Sequence, residues 1–277
     1  TNTSVCLSQN ISSNTFTNLS VNTSGSVTFI SNSVSAPSGG SKTINSNSIA
    51  TAFNKGVAGG TVTLYTDGGS SLATAGITNN NNNFSNITVT GATTVAGWNN
   101  TDGTGATPIK TITGNTFSNW TCGSSAVNVL QNSFGGTTNM SSNTISSITG
   151  TGTIVGLQQG SSGTVATLTI ASNSITSLSS TGSGGAVTAI VSTSAPTTGN
   201  INGNTINTLS STSTTATVAG ITSSAGVTMN IFSNGINTIS CVGTTSGVTN
   251  GISVSGGTTV NVYKNKIYDL NTSGAVS

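Results

Sequence analysis

The chain reads as all-β, a parallel β-helix of about nine coils with roughly thirty residues in each. Three observations predict this: one phrase recurs from end to end, its residues favour strands and turns, and charge is almost absent. The phrase is Asn, any residue, a large apolar residue, two small polar residues, then a second apolar residue.

Taken in order, the first phrase is Asn14-Thr15-Phe16 with Leu19, followed by Asn47-Ser48-Ile49 with Phe53. Asn82-Asn83-Phe84 with Ile87 and Asn115-Thr116-Phe117 with Trp120 come next. In the second half Asn143, Asn173, Asn204, Asn234 and Asn265 precede Ile145, Ile175, Ile206, Ile236 and Ile267, with Ile148, Leu178, Leu209, Ile239 and Leu270 closing each phrase. Three residues before the Asn stands Ile11, Ile44, Ile112, Met140, Ile170, Ile201, Ile231 or Val262. The Asn82 coil alone departs, with Asn79 at that place and Ile77 as the nearest apolar substitute. Anchors recur every 28 to 35 residues, which is the period of a solenoid.

Thr, Val, Ile and Ser between frequent Gly and Asn disfavour helical repeats, so each coil holds about three short strands joined by tight turns. Stacking at about 4.8 Å sets each Asn over the next, where their amides can bond in a ladder. Asn also tolerates the left-handed backbone, so the anchor is expected to take the bend between strands itself. The helix is expected to be right-handed, the usual hand of parallel crossovers. One coil buries too little apolar surface to offset its chain entropy, so only a stack folds.

Composition bounds the function. Of 277 residues 3% are charged, with five Lys, three Asp and no His, for a net charge of +2. Ser, Thr, Asn and Gly make up roughly three-fifths of the chain. Eight scattered charges make no basic stripe, which argues against a nucleic-acid partner. No apolar run approaches the ~18 residues of a membrane helix, so membrane insertion is not expected. Without His the common catalytic triads and zinc sites are absent, and neither cofactor nor metal is expected.

The one constellation with catalytic chemistry is Thr66-Asp67-Gly68 and Thr101-Asp102-Gly103 in neighbouring coils. Their carboxylates would lie about 5 Å apart, a spacing suited to a retaining glycosidase or a shared calcium site. Asp-Gly is also an ordinary turn signal. Lys264, Lys266 and Asp269 read as a solvated turn face. Trp98 and Trp120 fall on core positions, although exposed they would stack on sugars. Cys6, Cys122 and Cys241 read as unpaired; the last two share a coil position four coils apart, about 19 Å, beyond disulfide reach. Sequons such as Asn10-Ile11-Ser12 and Asn119-Trp120-Thr121 are expected by chance in such a chain. Thr61-Val62-Thr63, Thr111-Ile112-Thr113 and Thr167-Leu168-Thr169 have the form of ice-binding pairs, but their offsets from the anchors differ and predict no single row.

Residues 1–277 therefore form one continuous solenoid. The stretch from Leu270 to Ser277 matches Leu178 onward, which leads into another strand, so a longer solenoid or end-to-end stacking of copies is expected. Phrases such as Gly114-Asn115-Thr116-Phe117, Ser142-Asn143-Thr144-Ile145 and Val260-Asn261-Val262-Tyr263-Lys264-Asn265-Lys266-Ile267 resemble those of long Ser/Thr/Asn/Gly-rich surface proteins of Bacteroidota. The resemblance spans the chain and implies export, through a type IX route with a sorting domain beyond Ser277, and a role as stalk, adhesin or fibre. Parallel β-helices also include polysaccharide lyases and hydrolases. The expected function is thus a non-catalytic extracellular structural or adhesive segment, partnered by its own coils, by glycans or by another cell surface. The alternatives are a polysaccharide-binding or polysaccharide-degrading protein, then an ice-binding solenoid.

Overall fold

The computed structural model describes residues 5–103, 107–160, 165–242 and 246–273, and every regular element in it is a β-strand. Three parallel sheets run the length of the stack. The first, from Ser8–Asn10 to Thr259–Tyr263, and the second, from Leu19–Val21 to Lys266–Thr272, each hold nine strands among the described residues. The third runs from Val27–Asn32 to Val248–Val254 in eight layers, one of them split into Thr94–Val95 and Trp98–Asn100. The chain visits the sheets in turn and advances one layer per circuit, so the expected parallel β-helix is what forms.

Register follows the phrase. Phe117, Ile145, Ile175, Ile206, Ile236 and Ile267 pair successively in the second sheet. So do Trp120, Ile148, Leu178, Leu209, Ile239 and Leu270. Those up to Ile239 are buried in one core that fills the stack, because the left-handed residue between the two positions resets the alternation and turns both inward. The low-numbered half of this core is aromatic, with Tyr65 stacked on Trp98 at 4.3 Å and Phe84, Phe117 and Trp120 in edge contact around them. The other half is mostly Ile, Leu and Val, with Met140 and Met229 among them.

In most layers the third sheet carries a bulge where two successive residues face inward, as at Val129 and Leu130 or Ala189 and Ile190. Gly156 and Gly220 occupy the same place. A Cβ on Gly220 would meet the Gly251 carbonyl oxygen at 2.6 Å, so the side chain is excluded there by its neighbours.

One expectation is corrected. None of the nine anchor asparagines adopts a positive φ; the residue before each one does, namely Ser13, Ser46, Asn81, Gly114, Ser142, Ser172, Gly203, Ser233 and Lys264. A second left-handed residue follows four positions after the anchor, at Asn18, Asn86, Asn119, Ser147, Ser177, Thr208, Thr238 and Asp269. The division of labour is physical. The anchor must send its amide inward along the stack, which leaves the chain reversal to its neighbour.

Candidate functional site

The anchor amides form an unbroken file. Nδ2 of Asn14 donates to Oδ1 of Asn47 at 2.8 Å, and the bond repeats through Asn82, Asn115, Asn143, Asn173, Asn204 and Asn234 to Asn265 at 2.8 to 3.0 Å. Each Oδ1 also accepts the backbone N–H of the preceding anchor, as Asn173 does from Asn143 at 2.9 Å. The second Nδ2 proton reaches a carbonyl of the preceding coil, from Asn173 to Met140 at 2.9 Å. Seven of the nine side chains, Asn47 to Asn234, are buried, and burial without this pairing would leave amides unsatisfied.

The other polar interior is a corner between the first and third sheets. Five residues before the anchor, first-sheet strands point Gln9, Lys42, Ile77, Lys110, Thr138, Leu168, Gly199, Met229 and Val260 inward in register. The last inward residue of the third sheet runs Asn32, Asp67, Asn100, Asn132, Gln159, Ser192, Ser223 and Val254. Polar residues of these columns bond to one another, across the corner or along a column. Across the corner Gln9 and Asn32 exchange amide bonds at 3.1 and 2.9 Å, and along the third-sheet column Asn132 donates to Gln159 at 2.7 Å.

At its centre the structure brings Asp67 and Asp102 together around Lys42. Lys42 Nζ lies 2.7 Å from Asp67 Oδ1, 2.6 Å from its Oδ2 and 2.8 Å from Asp102 Oδ2, and donates to the Val34 carbonyl at 2.7 Å. Tyr65 donates its hydroxyl to Asp67 Oδ2 at 2.7 Å. Ser71 donates both its N–H and its hydroxyl to Asp102, at 2.8 and 2.6 Å. Lys42, Tyr65, Asp67, Ser71 and Asp102 are all 0% exposed. Burial, and then the charge of Asp102 against the opposing pull of Lys42, holds the Asp67 carboxyl above its ordinary range. Burial and the facing Asp67 push the Tyr65 phenol well above its usual value, so it remains a donor.

Lys110, on the same column, donates to Asn100 Oδ1 at 3.0 Å, Asn132 Oδ1 at 3.1 Å and the Ser133 carbonyl at 2.7 Å. Burial lowers its pKa to about 7. Lys55, also buried, donates to the carbonyls of Val57 and Gly59 at 2.5 and 2.7 Å. Three of the chain's five lysines therefore lie inside the coil.

This arrangement pairs charge inside the coil. The two carboxylates are close enough for glycosidase chemistry, yet a glycan cannot reach fully buried oxygens. The cation between them is the Lys42 ammonium, standing where a calcium ion would bridge them. Among the described residues no group of three or more His, Cys, Asp or Glu gathers. Trp98 and Trp120 are core, at 0% and 1% exposure, as their coil positions predict. The three cysteines are free, with Cys122 and Cys241 buried; burial raises the Cys122 thiol to about 12. Lys264, Lys266 and Asp269 lie exposed on the last coil, with Lys266 Nζ 4.9 Å from the centre of the Tyr268 ring.

The outward side of the first sheet carries polar residues in register. Thr137, Thr167, Thr198, Thr228 and Thr259 form one column in register. Beside it run Thr43, Thr78, Thr111, Asn139, Thr169, Asn200, Asn230 and Asn261. Asn261 donates to Asn230 at 2.8 Å and Asn230 to Asn200 at 3.0 Å. Phe232 and Tyr263 stack outside at 5.1 Å and 4°. Thr111 and Thr169, each four residues before its anchor, share a column, while Thr113 and Thr167 fall in the columns to either side, so the pairs form no single row; Thr61 belongs to the third sheet. The residues at Gly274–Ser277, on which the expected continuation partly rests, lie outside the described residues.

Alternation was the signal for the buried lysines. Ile77, Leu168, Met229 and Val260 mark the fifth position before the anchor as inward-facing, and Lys42 and Lys110 occupy it. Their partners in the third sheet carried no comparable mark. No protein-family model, curated protein or solved structure matches the chain.

Proposed function

We propose that the chain is a non-catalytic extracellular segment, a stalk or adhesin whose working surface is the outside of the coil. The observation that carries this reading is that Lys42, Asp67 and Asp102 are sealed in the interior while the first sheet presents uncharged Thr and Asn columns in fixed register. Rows of hydroxyls and amides beside the Phe232–Tyr263 pair suit neutral glycans or another cell surface. Export is supported by the resemblance in repeat phrases and composition. Further coils of the same repeat are proposed as partners beside glycans and cell surfaces.

The test incubates the purified chain with a panel of plant, algal and bacterial polysaccharides, reading both co-sedimentation and new chain ends. Retention without cleavage is expected. Cleavage that disappears in Asp67→Asn would overturn the proposal. The Thr137–Thr259 column favours ice binding as a second reading, which predicts thermal hysteresis that collapses in Thr198→Tyr.

A further inference from the structure

A buried primary amine held against two carboxyl groups is a reactive arrangement. Lys42 Nζ contacts both oxygens of Asp67 at 2.6 and 2.7 Å, which sets it about 3 Å from Cγ, within near-attack range. The two carboxyl groups are held differently. Asp102 accepts the N–H and hydroxyl of Ser71. Asp67 instead receives the Tyr65 hydroxyl on Oδ2 and the Gly69 N–H on Oδ1 at 3.3 Å, donors placed where negative charge would develop during attack at Cγ.

We propose that Lys42 and Asp67 join as an intramolecular amide, with Asp102 carrying the proton. Proton transfer within the buried pair gives a neutral amine and a neutral carboxylic acid, a form favoured where charge is poorly solvated; burial already raises the Asp67 carboxyl. The amine lone pair attacks Asp67 Cγ from above the carboxyl plane, which requires a turn about the Cβ–Cγ bond. Asp102 takes the proton released from Nζ and returns it to the departing hydroxyl. One C–N bond forms, one C–O bond breaks, one water leaves, and Asp102 ends as it began. No oxidant, metal or co-reactant is needed.

The bond would tie the first sheet to the third across the interior, from Lys42 at Ser41–Thr43 to Asp67 at the end of Thr61–Asp67. Tension applied to the low-numbered end would then stop at this cross-link instead of unwinding the coil. The chemistry stands apart from the proposed function: a cross-linked chain that cut a polysaccharide would refute only the latter.

Intact-mass measurement of the purified wild-type chain, followed by peptide mapping, decides the matter without any variant. The expected result is a mass one water below that of the sequence and a branched peptide joining Lys42 to Asp67. Asp67→Asn should form the same link with loss of ammonia, while Lys42→Arg and Asp102→Ala should keep their full sequence masses. A wild-type chain of full sequence mass, or a branch from Lys42 to Asp102, overturns the proposal.

Discussion

At single positions the chain's stability rests on polar groups with no water to fall back on. Asn173 makes two side-chain donations, to Met140 and Asn204, and accepts two N–H bonds from Asn143. Replacing it by Ala leaves the Asn143 donors unpaired inside the coil, so Asn173→Ala should cost about 3 kcal/mol in chemical denaturation. Asn14 lies exposed at the first coil, where water replaces lost bonds, and Asn14→Ala should cost well under about 1 kcal/mol by the same measurement. Lys110 makes stability depend on pH. Its pKa falls from 10.5 to about 7 on folding, so between those values the unfolded chain binds more protons. Unfolding free energy should therefore rise as pH climbs from about 7 toward 10.5, and Lys110→Met should flatten that slope.

Across a strand and its turn, the backbone conformation before each anchor matters more than the side chain there. Gly203 holds that place at φ +63, and a Cβ added to it would meet nothing nearer than Ser172 Oγ at 3.7 Å. Space is available, so Gly203→Ala measures left-handed strain alone and should destabilise by about 1 kcal/mol. Asn at the same position should cost less, as Asn81 adopts that conformation in its own coil. Equal effects of Ala and Asn in thermal unfolding would mean that the turn is not what limits this position.

For the molecule as a whole, stability is shared between neighbouring layers. Cys122 and Cys241 are buried in interior coils, whereas Cys6 lies half-buried in the first. Alkylation of the native chain should modify Cys6 first, with Cys122 and Cys241 protected until the stack opens. Equal rates at all three thiols, read by mass spectrometry, would mean that the coils open together under native conditions.

Sequence alone determined the architecture, the coil boundaries and the core. An apolar residue two and five positions after nearly every Asn anchor can be buried only if each coil repeats the last, and a phrase that local leaves little choice of register. It also brought Asp67 and Asp102 into neighbouring coils. What it did not reveal was the role of Lys42 or the left-handed residue before each anchor. The turn follows from the anchor amide being held in the ladder, and the role of Lys42 from the distance at which the first and third sheets meet across the corner. Such a distance is set by the closed circuit of the whole coil and leaves no periodic trace in the chain. The tertiary structure therefore decided that the two carboxylates face a lysine inside the solenoid, and that the outward side of the first sheet presents Thr and Asn in register.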